Sequence, residues 1–451
     1  MGRSGGDPTP WARSPCQTHI TVRSGHFPNI EVQLARKIEP WFGCYLLIGL
    51  VQNGVAPILF PLASHGGTGS GLSYAAFALT GLLAPVFGSW GDSKGSHRDL
   101  LIWGSVFAAI SFLPLCFLSD GSAFIIFAAL AGLGITAATT AGNVLAIAGL
   151  EEGLWNGRIG LLQRVVSTGQ VLGLIMAGLM AARHSHIAFA LTFAALLAAA
   201  ALAVIYAPAS TIHAARARPM PRAIMGGEAG APGIQQNAHH ASFAQLSAFV
   251  AVISRPLAQF LMVWFIAYTA MNGVAVLFPV AMTQRYGMAP IMPALAYALG
   301  VCASLATYGR VSKWTTSFGP AKILLGGIGL RLVLFALLAA FGQFHASFAG
   351  FAILVKFALI QFVWPLLAVS TIALSVILAR QARGESIGLY NGTSSLAACI
   401  GPAIAGVIFG LGGFSILSIA ACVTVAVSGV LAWWWFGRVA IDGKIAKRFH
   451  C

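Results

Sequence analysis

Charge is what this sequence has least of. Only 8% of its 451 residues are Asp, Glu, Lys or Arg, against about a quarter in soluble domains, which excludes a soluble enzyme with a solvated surface. Carboxylates are scarcest: the eleven are Asp7, Glu31, Glu39, Asp92, Asp99, Asp120, Glu151, Glu152, Glu228, Glu385 and Asp442, all in tails, loops or the ends of apolar runs. No acid and no histidine is therefore placed to relay a proton through the middle of an apolar segment. Cysteine is sparse too, with 7 residues and no CxxC spacing. Cys44, Cys116, Cys302, Cys399 and Cys422 lie in apolar runs and read as small core side chains, against a metal centre or a disulfide scaffold. HExxH, GxSxG and P-loop patterns are missing, so no catalytic residue and no cofactor is expected. Residues 1–37 lack the apolar stretch and cleavage site of a secretory leader, and read as a disordered cytoplasmic tail.

What is present is apolar mass: 58% of the chain is hydrophobic, with 52 glycines and 29 phenylalanines. A spanning helix needs about 20 apolar residues. Suitable runs fall at 41–63, 71–90, 99–119, 122–148, 159–181 and 187–207, then at 257–282, 291–308, 321–341, 349–379, 387–411 and 413–436. The expected fold is an all-α integral membrane protein of twelve transmembrane helices in two pseudo-symmetric six-helix halves, 38–207 and 256–437. A Pro-, Ala-, Gly- and His-rich cytoplasmic linker, 208–255, joins them, and a tail, 438–451, follows.

The net charge of +15 is first a question of sidedness. With the N-terminus inside, 21 of the 26 Lys and Arg fall on the inner side and only Arg183 and Arg285 on the outer; Arg164, Arg331 and Lys356 remain within spans. Cytoplasmic loops collect basic residues. Both termini are thus expected in the cytoplasm, at the cell (inner) membrane, and the charge is a topology signal, with no nucleic acid as partner.

The halves repeat one another. Asn53-Gly54-Val55-Ala56 with Phe60-Pro61 returns as Asn272-Gly273-Val274-Ala275 with Phe278-Pro279. In the fifth run Gly160-Leu161, Ser167, Gly173 and Gly178 return as Gly388-Leu389, Ser395, Gly401 and Gly406, each 228 residues later. Two parallel six-helix repeats with a site between them near the bilayer midplane suit a carrier that rocks.

Between the second and third runs stands Gly88-Ser89-Trp90-Gly91-Asp92-Ser93-Lys94-Gly95-Ser96-His97-Arg98. It resembles the signature loop of the major facilitator superfamily, and Gly309-Arg310-Val311-Ser312-Lys313 through Gly319 and Lys322 is a weaker copy. The resemblance covers residues 38–437. It implies a gate built from Gly88, Asp92, Gly95, Arg98, Arg310 and Lys313, with Asp92 latching against the helix start near Gly384 to Gly388, where N-terminal amides and the macrodipole favour a carboxylate. Ser93 and Ser96 stand where the family has basic residues. Ala128 stands where proton-coupled members carry Arg ahead of Gly132-Leu133-Gly134. The Gly-Pro pattern of exporters is present only in the eleventh run, as Gly401-Pro402 with Ala405-Gly406.

Polar side chains inside spans are costly and mark function by default. At 100° per residue, Tyr45, Gly49, Gln52 and Asn53 share a face of the first span, and Thr136, Thr139, Thr140 and Asn143 a face of the fourth. Trp264, Tyr268 and Asn272 line up in the seventh, and Lys356, Gln361 and Trp364 in the tenth. The resemblance implies that these four spans line one chamber. The substrate-binding candidates are accordingly Tyr45, Gln52, Asn53, Thr140, Asn143, Trp264, Tyr268, Asn272, Lys356, Gln361 and Trp364, set against the plainer reading of hydrogen bonds between helices. Lys356, with no acid in the membrane to neutralise it, is expected to meet an anionic group on the substrate unless it snorkels. Arg331 lies deeper, and because the ninth span is peripheral in the family it is expected to bond backbone carbonyls.

The function expected is a secondary active or facilitative transporter moving a small organic solute, anionic or neutral, by alternating access, as a monomer in the bilayer. The alternatives are an efflux pump for hydrophobic compounds and, from another class, a non-transporting membrane receptor on the same fold.

Overall fold

The structure is a computed structural model that describes residues 38–64, 67–118, 121–148, 152–181, 184–208, 255–344, 347–378 and 383–442. The tail 1–37 and the bulk of the linker lie outside them. Twelve membrane helices follow in order: α1 (Phe42–Ala63), α2 (67–94), α3 (His97–Leu115), α4 (Gly121–Ile147), α5 (Glu152–Met180), α6 (Ser185–Tyr206), α7 (Arg255–Tyr286), α8 (Ile291–Phe318), α9 (Pro320–Phe341), α10 (347–378), α11 (383–412) and α12 (414–442). Only Gly413, at φ 64° and ψ −163°, separates the last two. That conformation is open to glycine alone.

Helices α2 and α8 run past the inner ends of their apolar runs. α2 runs on to Lys94 and stops at Gly95, φ 61°, and α8 runs on to Phe318 and stops at Gly319, φ 86°. Arg310 and Lys313 are therefore helical, not loop residues. An apolar run measures bilayer thickness, whereas a helix ends where a residue adopts left-handed φ.

Three helices are distorted, and each distortion ends two residues before a proline. In α1 residues Leu50–Val55 form a π-helical turn ahead of Pro57, in α2 Thr80–Leu83 form a tight 3-10 turn ahead of Pro85, and α10 breaks at Val363 ahead of Pro365. Proline has no N–H and its ring crowds the preceding turn, so the carbonyls upstream lose their donors. Within a membrane such backbone is tolerated only inside protein or beside a wet cavity.

Two buried clusters form the core, one drawn from α1 to α6 together with Ala294, Ala298 and Val301 of α8, and one from α7 to α12. The sequence repeat reappears as packing. A Cβ on Gly54 of α1 would fall 2.7 Å from the Gly173 Cα of α5, and one on Gly273 of α7 would fall 2.9 Å from the Gly401 carbonyl oxygen of α11. The paired motifs are thus the close crossings α1 on α5 and α7 on α11, where only small residues fit.

Between the halves the pairing is exchanged. A Cβ on Gly71 of α2 would collide with the Pro402 carbonyl of α11, and one on Gly178 of α5 would lie 2.5 Å from the Ala294 Cβ of α8. These contacts use the starts of α2 and α8 and the ends of α5 and α11. By chain direction these contacts lie toward the membrane face opposite Lys94, Arg158, Arg310 and Lys313, so the two halves approach closely at the end away from those basic residues.

Candidate functional site

In the first half, Tyr45 is 2% exposed and its hydroxyl donates to the Thr139 carbonyl oxygen at 2.6 Å. Gly142 leaves room for its ring. Tyr45 joins α1 to α4, so in this structure its hydroxyl is engaged within the first half. The Thr139 and Thr140 hydroxyls donate to carbonyls of their own helix, which leaves their oxygens able to accept a further hydrogen bond. Gln52 and Asn53, on the π-helical turn, are half-buried, and Asn143 is exposed. None of these three has a side-chain hydrogen bond among the described residues.

The second half carries an aromatic cluster. Trp264 and Tyr268 stack at 4.9 Å and 17°, Trp264 lies 5.6 Å from Tyr390, and Trp364 lies 5.8 Å from Tyr268. The Trp264 indole N–H donates to Ser394 Oγ at 2.8 Å, and the Tyr390 hydroxyl lies 3.1 Å from that of Thr371. Trp264 and Tyr390 are buried; Tyr268 and Trp364 are half-buried. The Asn272 amide donates to the Tyr268 carbonyl, and Gln361 packs where α10 crosses Gly300 of α8. Tyr74 of α2 comes within electrostatic reach of Tyr268 and Tyr297, so the cluster meets the other half.

The cation beside this cluster is Arg331. Its guanidinium lies 5.4 Å from the Trp364 ring centre and donates to the Ile360 carbonyl oxygen at 3.0 Å, just ahead of the break in α10. It bonds a backbone carbonyl, as read from the sequence, but it faces inward. Lys356 lies elsewhere on α10. Its ammonium sits 3.6 Å from the Phe341 ring centre, at the end of α9, and reaches its own helix's Ala352 carbonyl at 3.3 Å. Eight residues of helix, about 12 Å of rise, separate it from Trp364, so it lies on a different level from the cluster. The sequence passed over Tyr74, Tyr297 and Tyr390. The available signal was that four of the chain's 8 tyrosines, Tyr268, Tyr297, Tyr308 and Tyr390, fall within the apolar runs of the second half.

The gate residues are placed less uniformly. The Asp92 side chain lies outside the described residues, as do those of residues 384–388. Arg98 is committed within its own half, donating to the Val204 carbonyl at 2.6 Å and so capping the C-terminal turn of α6. A Cβ on Gly88 would meet Thr140 at an ordinary 3.7 Å, so packing does not require glycine there. Gly95 is required by its backbone. Arg310 and Lys313 are exposed.

Twelve helices in two repeats around a polar and aromatic centre are the build of a membrane carrier, and sequence comparison agrees. The family model of the Major Facilitator Superfamily matches residues 41–376. The chain belongs to that superfamily; it is a multi-pass membrane transporter and not an enzyme. No curated protein matches the sequence. Among solved structures, the nucleoside transporter NupG superposes with a TM-score of 0.66 at 13% identity, over 91% of this chain and 98% of that one. A bacterial homologue of the human lysosomal transporter Spinster, inward-facing and unoccupied, gives 0.64 at 12% over 90% and 96%. The human organic anion transporter MFSD10 gives 0.61 at 16% over 90% and 99%. At these identities the likeness is one of fold.

Proposed function

We propose that this protein carries a small organic solute across the cell membrane by alternating access, as a monomer with both termini in the cytoplasm. The observation that carries the reading is the asymmetry of the seam between the halves. It is closed by glycine-tight contacts of α2 with α11 and α5 with α8, while at the basic end Asn143, Arg164, Arg310 and Asn391 are exposed. Basic loops mark the cytoplasm, so the mouth opens inward. Solute would bind between Gln52, Asn53, Thr140 and Asn143 on one side and Trp264, Tyr268, Asn272, Gln361 and Trp364 on the other, and the halves would rock about it.

The stacked aromatic cluster also suits a second reading, export of uncharged hydrophobic compounds. A panel of organic anions, neutral metabolites and cationic dyes, screened by thermal shift and then as flux into and out of proteoliposomes, separates the two. Saturable flux of a stabilising solute is expected; stabilising ligands that never cross would leave a receptor instead.

A further inference from the structure

Two arginines are buried among the described residues, and the fold treats them differently. Arg158, 3% exposed, is ion-paired with Glu39. Arg331, 2% exposed, lies midway along α9, too deep to snorkel. No carboxylate among the described residues reaches it, one Nη donates to the Ile360 carbonyl, and its Nε has no acceptor. A guanidinium carries five N–H donors and keeps its charge, so a single carbonyl leaves the greater part of its desolvation uncompensated. A brace between α9 and α10 needs no cation, and packing alone would be better served by a hydrocarbon.

What surrounds the unused donors is chemically specific. Trp364 stands at 5.4 Å, Tyr268 and Tyr297 are within electrostatic reach, and behind Tyr268 lies the stack with Trp264. The break in α10 at Val363 fixes both the carbonyl that orients Arg331 and the tryptophan that flanks it. We propose that Arg331 is the charge-recognising residue of the central site and that the solute is an organic anion with a flat, aromatic body. The anionic group takes the free Nε and Nη donors while the ring lies against Tyr268 and Trp364. This rests on the transport reading above and names its substrate class. Tyr74, contributed by the first half beside Tyr268 and Tyr297, lets occupancy be felt by both halves.

The test uses naphthoate, naphthamide and naphthylmethylammonium, matched in ring and differing in charge, with the full-length protein. Naphthoate should raise the wild-type melting temperature while the amide and the cation do not. Arg331→Gln and Arg331→Met should weaken naphthoate binding by roughly thirtyfold or more, with Arg331→Lys in between. Without ligand, Arg331→Met should melt no lower than wild type, because an unpaired buried charge has been removed. Equal binding of naphthoate and naphthamide, no binding of either, undiminished naphthoate binding by Arg331→Gln, or a much lower melting temperature of ligand-free Arg331→Met would each overturn the proposal. Proteoliposome flux keeps the two readings apart. Carriage of naphthamide but not naphthoate upholds transport and rejects charge recognition, whereas naphthoate bound through Arg331 without flux does the reverse.

Discussion

The carboxylate of Glu39, just ahead of α1, is ion-paired with the guanidinium of Arg158 near the start of α5. The same carboxylate accepts the Trp41 indole N–H at 2.6 Å, and the guanidinium lies 4.4 Å from the Phe42 ring centre. The acid therefore neutralises a charge the fold has already buried. Glu39→Gln should lower stability by about 1 to 3 kcal/mol, since a buried charge loses its partner; the acid's partial exposure favours the lower end. A melting curve in detergent checks this, and an unchanged midpoint would show that the pair contributes nothing.

Lys356 offers a contrast with Arg331. Held over Phe341 and bonded to its own helix, it already has a favourable site for its charge. Lys356→Gln should leave solute affinity within about 0.5 kcal/mol of wild type. A titration of naphthoate against both proteins measures this, and a large loss would return Lys356 to the binding site.

Asp92 stands three residues ahead of Gly95, in the last turn of α2. There the negative end of its own helix opposes a carboxylate, by about 0.3 to 1 kcal/mol. The latch proposal, which the family resemblance implies, pairs this carboxylate with the start of α11 once the inner mouth closes. Asp92→Asn should therefore slow flux while the melting temperature holds or rises. Wild-type flux from the variant would exclude the latch.

The fold was legible because its determinants are local. Apolar runs, basic loops and one repeated offset gave the helices, and the Gly54 to Gly173 and Gly273 to Gly401 crossings fall on the repeated motifs. The helix ends at Lys94 and Phe318 were not legible, since hydrophobicity says nothing about where a cytoplasmic extension stops. In the site, Trp264, Tyr268 and Trp364 were found by helical spacing and lie together. Tyr45 bonds the Thr139 carbonyl and Lys356 sits over Phe341, contacts that periodicity does not contain, because it fixes an angle and not what a neighbouring helix presents at each level. Arg331 was discounted because its helix is peripheral. It reaches the centre only through a long side chain and the proline break in α10, neither of which a helical wheel contains.

The central claim of the transport proposal is that the halves rock against one another, and the seam between α5 and α8 tests it most directly. A Cβ on Gly178 falls 2.5 Å from that of Ala294, and a disulfide needs about 3.8 Å, so a slight parting admits one. In a protein whose native cysteines are replaced by serine, Gly178→Cys with Ala294→Cys should cross-link on mild oxidation. Solute flux in proteoliposomes should then stop, and reductant should restore it, while either single variant is indifferent to oxidation. Flux that continues at the unoxidised rate through the cross-linked protein would contradict alternating access about this seam.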